Sequence, residues 1–393
     1  MESTSRLYDT LTQLFGQYDV WQDKRHFKAL AWMVVGLIFT GQISPTTWLV
    51  YVNTEVYAQS TVRRFQRWLK NERIEVNNLY GAIIQSALVE WNNHTLYLAL
   101  DTSMLWDKYC LIRISIIYRG RSVPLTWKVI EHGCSSVAFE TYVPLIEAAH
   151  LLLPSQANIV FLADRGFADT TLMKQLDTMG WTWLIRAKSS LTIYRRGQHP
   201  ISLGHVGVQK GHALFWHNTY VTSKKYGPVH LALGHPQGVN GKWVILSNAP
   251  THVTTFDAYR LRFDIEEGFL DDKSNGFQLE SSLNRSADVL TRLGLVLALA
   301  TLYLVSQGTE VVHTGKRRFV DAHWFRGSSY LKIGWNYVRR ALVRGDVLIG
   351  YMRLDPREDP DPAIASRKQD EERHRLSFRT SFKVFKPYAT VGN

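Results

Sequence analysis

Cysteine and long hydrophobic runs are scarce in this chain, and it has no internal repeat. Its 393 residues include two cysteines, Cys110 and Cys134, whose spacing matches neither a disulfide framework nor a zinc site. The longest apolar stretches, Leu30–Phe39 and Leu293–Val305, are shorter than the roughly 20 residues of a membrane-spanning helix. No basic-then-apolar leader opens the sequence. We therefore expect a cytoplasmic protein without a membrane partner.

Acidic residues are missing from residues 189–255, which contain six basic residues and seven of the 14 histidines. No cysteine accompanies these histidines and their spacing is irregular, which argues against a zinc site. Residues 311–393 are also basic, with 17 Lys and Arg against nine Asp and Glu, and the whole chain has a formal net charge of +12. The segment between these two basic segments is acidic. Such a distribution of charge favours a nucleic-acid partner over a surface made basic for solubility alone.

Hydrophobic periodicity predicts an α/β fold with strands in the middle of the chain. The predicted order is βββαβαβ, and the wholly apolar fourth strand favours an interior, parallel position in a mixed sheet covered by helices. Residues 189–255 are punctuated by Gly and His, which predicts a small antiparallel insertion. The predicted strands are Leu96–Leu100, Leu111–Tyr118, Val123–Ile130, Ile159–Ala163 and Trp181–Ala187, with helices within Val137–Leu153 and at Thr170–Met179.

The N-terminal quarter of the chain predicts helices. Arg25–Thr40 is an apolar helix, and Ser60 is expected to cap a second helix that continues to Lys70. In that second helix Arg63, Arg67 and Lys70 share one face. The stripe suits a contact with DNA phosphates and an ordinary solvated surface equally well.

Two acids follow apolar strands directly. Asp101 comes after Leu96–Leu100 and Asp164 after Ile159–Ala163. An aspartate at the end of one strand is usually an ordinary turn residue. Two of them on strands that could be neighbours would repel each other unless a cation lay between them. A site for Mg²⁺ or Mn²⁺ with oxygen ligands would resolve that repulsion.

A third acid lies on a helix predicted from Phe256 to about residue 272. At about 100° per residue, four polar side chains of this region fall within roughly 60° of arc, opposite an apolar face. Such a stripe is usually solvated surface, but here it follows a basic insertion and accompanies two strand-end acids. The four side chains are Tyr259, Arg262, Glu266 and Lys273.

These residues together resemble a DDE transposase of bacterial insertion sequences, a family whose signature is Tyr-x2-Arg-x3-Glu-x6-Lys. The stripe of Tyr259, Arg262, Glu266 and Lys273 satisfies every interval of it. The sequence Leu-Ala-Leu-Asp-Thr-Ser around Asp101 is similar to the family's first acid, and Phe-Leu-Ala-Asp-Arg-Gly-Phe around Asp164 to its second. A Thr-Ser pair after the first acid stands where two threonines are common. The resemblance covers about residues 95–275.

The resemblance implies an RNase H-like mixed sheet with flanking helices and with a β-rich insertion before the glutamate helix. A Pro- and Asp-rich stretch at 355–362 is expected to be a linker. Together with the periodicity and charge of the two terminal regions, it gives an expected organisation of a helical DNA-binding region at 1–92, the first part of the catalytic core at 93–188, a β-rich basic insertion at 189–255, the second part of the core at 256–310 and a basic helical C-terminal region and tail at 311–393.

The resemblance also implies a chemistry. The carboxylates of Asp101, Asp164 and Glu266 would hold two Mg²⁺ ions, or Mn²⁺, for cleavage of the element ends and joining of the 3′-OH to target DNA. The partners would be the terminal inverted repeats, the target DNA and a second copy of the chain in a paired-end complex. Some members hold a flipped base against an aromatic residue, for which Trp216 or Trp243 would be candidates, although burial is the alternative for both. The residues expected to contact DNA are Tyr259, Arg262, Lys273, Arg186, Lys188, Arg63 and Arg67.

Three other interpretations remain open at the level of sequence. A transposase-derived endonuclease or DNA-binding protein without strand joining would share the same motifs. In a purely structural DNA-binding protein the three acids would be incidental. A haloacid-dehalogenase-like phosphotransferase would need a second aspartate two residues after Asp101, where the chain has Ser103.

Overall fold

The computed structural model describes residues 2–21, 23–236, 241–363 and 383–384. The contacts of these residues divide the chain into two compact units. The first unit contains the described residues of Met1–His94, Asp101–Ala157 and Asp264–Ile364; the second contains those of Thr95–Leu100, Asn158–Phe263 and Ala365–Asn393.

The strands lie in the order that the sequence predicts for an RNase H-like core, with helices α6 and α7 after the third and fourth strands. The strands are β1 (Thr95–Leu105), β2 (Tyr109–Tyr118), β3 (Arg121–Glu131), β4 (Asn158–Ala163), β5 (Thr182–Arg186), β6 (Thr192–Tyr194), β7 (Ile201–Ser202), β8 (His212–Val221), β9 (Tyr226–His235), β10 (Trp243–Ser247) and β11 (Lys383–Val384). The helices are α1 (Glu2–Gly16), α2 (Lys24–Thr40), α3 (Pro45–Trp48), α4 (Ala58–Lys70), α5 (Val76–Ala87), α6 (Phe139–Leu152), α7 (Thr170–Thr178), α8 (Val253–Arg260), α9 (Asp264–Leu270), α10 (Ala287–His313) and α11 (Tyr330–Arg344). The predicted mixed α/β fold with flanking helices is confirmed.

The second unit is built on one continuous sheet. Thr95–Leu100 of β1 pairs in parallel with β4, and β4 pairs in parallel with β5. β10 is antiparallel to β5, and β9, β8, β6 and β7 follow in that order, with β11 parallel to β8. The fourth strand is therefore interior and parallel, as predicted. The antiparallel strands of residues 189–255 extend this sheet from β5, so the insertion is β-rich but does not form a sheet of its own.

The first unit has α10 at its centre. β2 and β3 form an antiparallel hairpin in which every residue of β2 is buried. α10 packs on β3 and also against α2, α4, α5 and α11. Its Gly294 lies so close to Trp127 that an added Cβ would be 2.3 Å from the indole nitrogen. Small residues on α10 thus set how closely the helix approaches the sheet.

α10 extends well beyond the apolar stretch Leu293–Val305 that marks it in the sequence. Its 27 residues include an 18-residue window with a mean hydropathy of 1.9, which by length and composition would suffice to cross a membrane. However, 89% of that window is buried inside the protein. A helix that is hydrophobic on all sides and covered by other elements is a core helix.

Two local predictions are wrong. β1 does not end at Asp101 but continues to Leu105, because it forms a hairpin with β2 through Trp106 and Asp107, whose φ angles are 52° and 54°. Ser60 is not a helix cap, since α4 begins at Ala58 and the backbone amide of Ser60 already donates to the carbonyl of Tyr57 at 2.9 Å.

The prediction of a linker at 355–362 is also wrong, because this stretch is part of the first unit and its acids form ion pairs there. Asp355 is 7% exposed and forms an ion pair with Arg357. Asp359 pairs with Arg326 at 3.0 Å, and Asp361 with Arg317 at 2.6 Å. The acids that suggested a solvated linker instead neutralise arginines that are largely buried.

Candidate active site

Asp101 and Asp164 directly follow the last residues that pair in parallel between neighbouring strands, although β1 itself continues past Asp101 to Leu105. Where β1 and β4 run in parallel, the final pair in register is Leu100 with Ala163. Asp101 and Asp164 are the next residues along each strand. The backbone amide of Thr102 donates to the carboxylate of Asp101 at 2.8 Å. Asp164 ends its strand and precedes a 3₁₀ turn, as expected of a residue at the carboxyl edge of a parallel sheet.

Around Asp164 the second unit gathers two arginines and a tyrosine. The hydroxyl of Tyr259 donates to the carbonyl of Ala163 at 3.4 Å, and the side chain is fully buried. Burial raises the pKa of Tyr259 and the charge of Asp164 raises it further, while the charges of Arg262 and Arg186 lower it. All three charged groups therefore lie within electrostatic range of this phenol. Tyr259 is a packed residue behind Asp164, not an exposed contact for phosphates.

Arg262 and Arg186 each lie beside an aromatic ring. The guanidinium of Arg262, which is 4% exposed, lies 4.6 Å from the centroid of Phe263. The guanidinium of Arg186 lies 5.8 Å from the ring of Trp243, and that ring is 5.8 Å from Tyr259. Trp243 was a candidate platform for a flipped base, with burial as the alternative. It is 4% exposed, so burial is correct. The attraction between a guanidinium and a ring face favours these positions of the two arginines.

In the first unit, Glu266 is exposed on α9, and α9 is tightly held to the β2–β3 hairpin. An added Cβ at Gly268 would be 2.0 Å from the hydroxyl oxygen of Ser122, so only glycine permits this approach. The guanidinium of Arg113 lies 4.3 Å from the centroid of Phe269 and forms an ion pair with Asp272. Both members of this pair are at least 95% buried.

The acids next to Glu266 are perturbed by burial. Burial raises the pKa of Asp272, and the Arg113 guanidinium opposes that shift. Burial also raises the pKa of Asp271 to about 6; Arg121 opposes this shift, and the charges of Asp272 and Glu267 add to it. The segment that follows α9 thus carries a cluster of interior charges.

Lys273 lies in a π-helical turn, Asp271–Asn275, and not on α9 itself. Its ammonium group donates to the carbonyl of Met104 and forms an ion pair with Glu280 at 3.3 Å. Met104 is three residues after Asp101 on β1. Lys273 therefore ties the end of the glutamate helix to the strand that carries the first acid.

Tyr259, Arg262, Glu266 and Lys273 do not lie on one regular helix. The prediction of a single helix that carries all four on one face is therefore wrong. The predicted helix is divided into α8, a 3₁₀ turn at Leu261–Phe263, α9 and the π turn. A 3₁₀ turn has 3.0 residues per turn and rotates each residue by about 120°, so the 100° arithmetic does not hold across it. Tyr259 and Arg262 belong to the second unit, whereas Glu266 and Lys273 belong to the first.

Comparison with known proteins identifies the family. A model described as a transposase DDE domain matches residues 107–303, half of the chain. The chain belongs to the transposase DDE domain family. The match includes Asp164 and Glu266 and begins after Asp101. Membership argues against the phosphotransferase alternative.

Two further comparisons complete this finding. No curated protein matches the chain. Among solved structures, it is similar to a piggyBac transposase in a synaptic complex with hairpin DNA, determined by cryo-electron microscopy. The two share 11% sequence identity with a TM-score of 0.44, over 93% of this chain and 86% of that one.

The carboxylates of this DDE-family transposase fit a hard divalent ion by their chemistry, because Mg²⁺ and Mn²⁺ prefer carboxylate oxygens. Asp101 and Glu266 belong to the first unit and Asp164 to the second. Within the described ranges, no group of three or more His, Cys, Asp or Glu side chains is close enough to hold a metal ion. The metal-binding triad stays a prediction, supported by donor chemistry and by the register of β1 and β4.

The other predicted DNA contacts differ in exposure. Arg63 and Arg67 are exposed on one face of α4, and Lys188 is exposed after β5. Arg186 is half-buried against Trp243. The exposed side chains are free to reach phosphates as they stand, whereas Arg186 and Arg262 are positioned inside the unit.

Sequence reasoning missed the support behind the site. Arg113 is a charged residue in the middle of an otherwise apolar strand, and such residues are rarely buried unless they are paired. That signal could have predicted a buried acid, although its identity as Asp272 could not be read from the sequence. Trp216 is half-buried with the guanidinium of Arg195 3.9 Å from its ring, a pairing that the sequence spacing does not reveal.

Proposed function

We propose that this protein is a DNA transposase that cleaves the ends of an insertion sequence and joins the freed 3′-OH to target DNA. The observation that carries the proposal is the register of β1 and β4 within a DDE-family chain: Asp101 and Asp164 each follow a member of the pair Leu100–Ala163. Acids at the carboxyl edge of neighbouring parallel strands are suitable ligands for a shared cation. Glu266 supplies the third carboxylate from α9.

In this proposal the residues have separate roles. Asp101, Asp164 and Glu266 would hold two Mg²⁺ ions, which would supply Lewis-acid activation of the nucleophile and charge stabilisation for the leaving 3′-oxygen. Tyr259 positions Asp164 through its hydrogen bond to Ala163. Arg262, which is buried in the second unit, offsets the negative charge of Asp164 from inside that unit.

DNA is the proposed partner, in the form of the terminal inverted repeats and the target. Arg63, Arg67 and Lys188 are exposed cations that would contact phosphates and not bases. Since a paired-end reaction uses two active sites, the proposed assembly on DNA is a homodimer. The proposed location is the bacterial cytoplasm, at the nucleoid.

The test is a cleavage and joining assay on the DNA that flanks the gene, with products mapped on each strand in Mg²⁺ or Mn²⁺. Glu266→Gln, Asp101→Asn and Asp164→Asn should each lower cleavage by about 1000-fold or more, since loss of a metal site removes several kcal/mol of transition-state stabilisation. Glu267→Gln is the matched control, because Glu267 is the next residue on α9 and is also exposed. Full activity of Glu266→Gln would remove Glu266 from the site.

A DNA-binding protein derived from a transposase, without chemistry, is the second candidate. It shares the family match and the exposed arginines of α4 with the first candidate. The same assay separates the two, because this candidate binds element ends but yields no cleaved strand with either metal. Cleaved ends without joined products would instead indicate an endonuclease.

A further inference from the structure

Three large aromatic side chains project from the connection between α10 and α11. Trp324 is 78% exposed, Phe319 66% and Phe325 61%. Together they form what we call the aromatic tip, within residues 314–329 of the first unit. Single exposed apolar residues are common on proteins, but three large aromatic ones in seven consecutive positions form a patch that needs an explanation.

The aromatic tip is held by a buried ionic scaffold. Arg317 donates to the carbonyls of His323 at 3.0 Å and Trp324 at 2.9 Å, and it pairs with Asp321 at 3.2 Å. Asp321 is 3% exposed and also accepts from the backbone amide of Gly327 at 3.0 Å. These bonds fix the backbone on both sides of Trp324.

A second arginine secures the end of the segment. Arg326 is 4% exposed, donates to the carbonyl of Ser328 at 3.0 Å and pairs with Asp359 at 3.0 Å. Its other donor group bonds to the carbonyl of Asp361. The aromatic rings are therefore presented by a rigid support, which lowers the entropy cost of binding a partner.

The surroundings of the aromatic tip are cationic. The guanidinium of Arg318 lies 4.5 Å from the ring centroid of Trp324. That of Arg340 lies 4.9 Å from Phe319 but is already paired with Asp346 at 3.4 Å, so Arg318 and Lys316 supply the positive charge. Lys316 is exposed nearby in the sequence. The only acid in residues 314–329 is Asp321, whose carboxylate is paired with Arg317. A ligand of the aromatic tip should therefore combine flat apolar faces with negative charge.

We propose that the aromatic tip stacks with unpaired nucleobases of DNA while Arg318 and Lys316 contact the adjoining phosphates. Bases have a π face and an anionic backbone, and aromatic side chains flanked by cations are the usual platform for single strands. The inference rests on the proposed function in that the chain acts on DNA, but it concerns a surface that takes no part in the chemistry.

The test measures binding of the full chain to a duplex with a single-stranded overhang and to the same duplex with blunt ends, in EDTA so that no strand is cut. Trp324→Ala should weaken binding of the overhang DNA by about 5- to 150-fold, the range expected for loss of one stacked base, and leave blunt-end binding unchanged. Trp324→Phe should restore most of the affinity. Leu151→Ala is the control, because Leu151 is 75% exposed on α6, outside this surface.

Two results would overturn the inference. One is equal affinity of wild type and Trp324→Ala for the overhang DNA. The other is loss of a dimer on Trp324→Ala, seen by light scattering without DNA, which would mark the tip as a protein interface. Because the binding assay needs no metal, an inactive wild-type enzyme would count against the proposed function and leave this result standing.

Discussion

Replacement of Asp272 by asparagine should strongly destabilise the first unit. Arg113 and Asp272 are 3% and 4% exposed, so the substitution leaves a buried guanidinium without its counter-charge. Arg113 also has two nitrogens, Nε and Nη2, that lack a hydrogen-bond partner among the described residues, so it has little else to compensate the loss. Breaking a buried ion pair by removal of one partner costs about 3–5 kcal/mol.

The measurement is urea unfolding of wild type and Asp272→Asn, with hydrogen exchange of the α9 peptide as a local readout. We expect the free energy of unfolding to fall by about 3–5 kcal/mol and exchange around Glu266 to accelerate. Glu267→Gln removes an exposed carboxylate that pairs with Arg121 at 3.4 Å, and it should cost below about 1 kcal/mol. The double variant Arg113→Met/Asp272→Leu should recover most of the loss. A cost near that of Glu267→Gln would refute the reasoning.

Three further predictions follow from single contacts. Burial raises the pKa of Asp271 from 3.8 to about 6, so the folded state binds the proton of this carboxyl group more tightly than the unfolded state does. The free energy of unfolding should therefore fall as the pH rises from about 4 to 6. Asp271→Asn should abolish that fall in urea titrations across this range. Gly268→Ala should cost about 1–3 kcal/mol, since the new Cβ would overlap the Ser122 hydroxyl, and an unchanged unfolding midpoint would contradict this. Arg63→Ala and Arg67→Ala should each weaken DNA binding at all sequences and reduce the salt slope by about one, whereas an unchanged slope would identify a merely solvated face.

Much of the fold could be predicted because the apolar pattern of the strands is strong. β4 is a short, wholly apolar run that ends at an aspartate, and its interior parallel position follows directly from that pattern. The prediction of short antiparallel strands within residues 189–255 is also confirmed. However, the pairing of β10 with β5 is a long-range contact that no local pattern encodes, so the continuity of the sheet could not be foreseen.

The glutamate helix shows where periodicity fails. The spacing of Tyr259, Arg262, Glu266 and Lys273 predicted one helical face, but a 3₁₀ turn and a π turn change the rotation per residue between them. Burial of Tyr259 and Arg262 depends on how α8 packs in the second unit, which spacing alone does not determine. The intervals between these residues therefore did not reveal which way their side chains face, and their roles at the site stay a prediction.

Interior charges were the least predictable feature. Asp359 and Asp361 occur in a Pro-rich stretch, which favours a solvated linker, yet they neutralise Arg326 and Arg317. The physical reason is that arginine carries several donors in a fixed geometry and requires acceptors wherever it is buried. Such acceptors can come from any part of the chain, so local sequence does not reveal them.

We propose that Asp101, Asp164 and Glu266 share divalent ions, and metal-directed cleavage of the polypeptide would map the residues around each bound ion. Fe²⁺ would replace Mg²⁺ in the complex of the protein with element-end DNA, and hydroxyl radicals generated with ascorbate and peroxide would cut the backbone near the bound ion, with the cut positions read by mass spectrometry. We predict cuts close to all three residues, suppressed by excess Mg²⁺ and absent in Asp164→Asn. Cuts that omit any one of the three regions, or that persist in Asp164→Asn, would contradict the account.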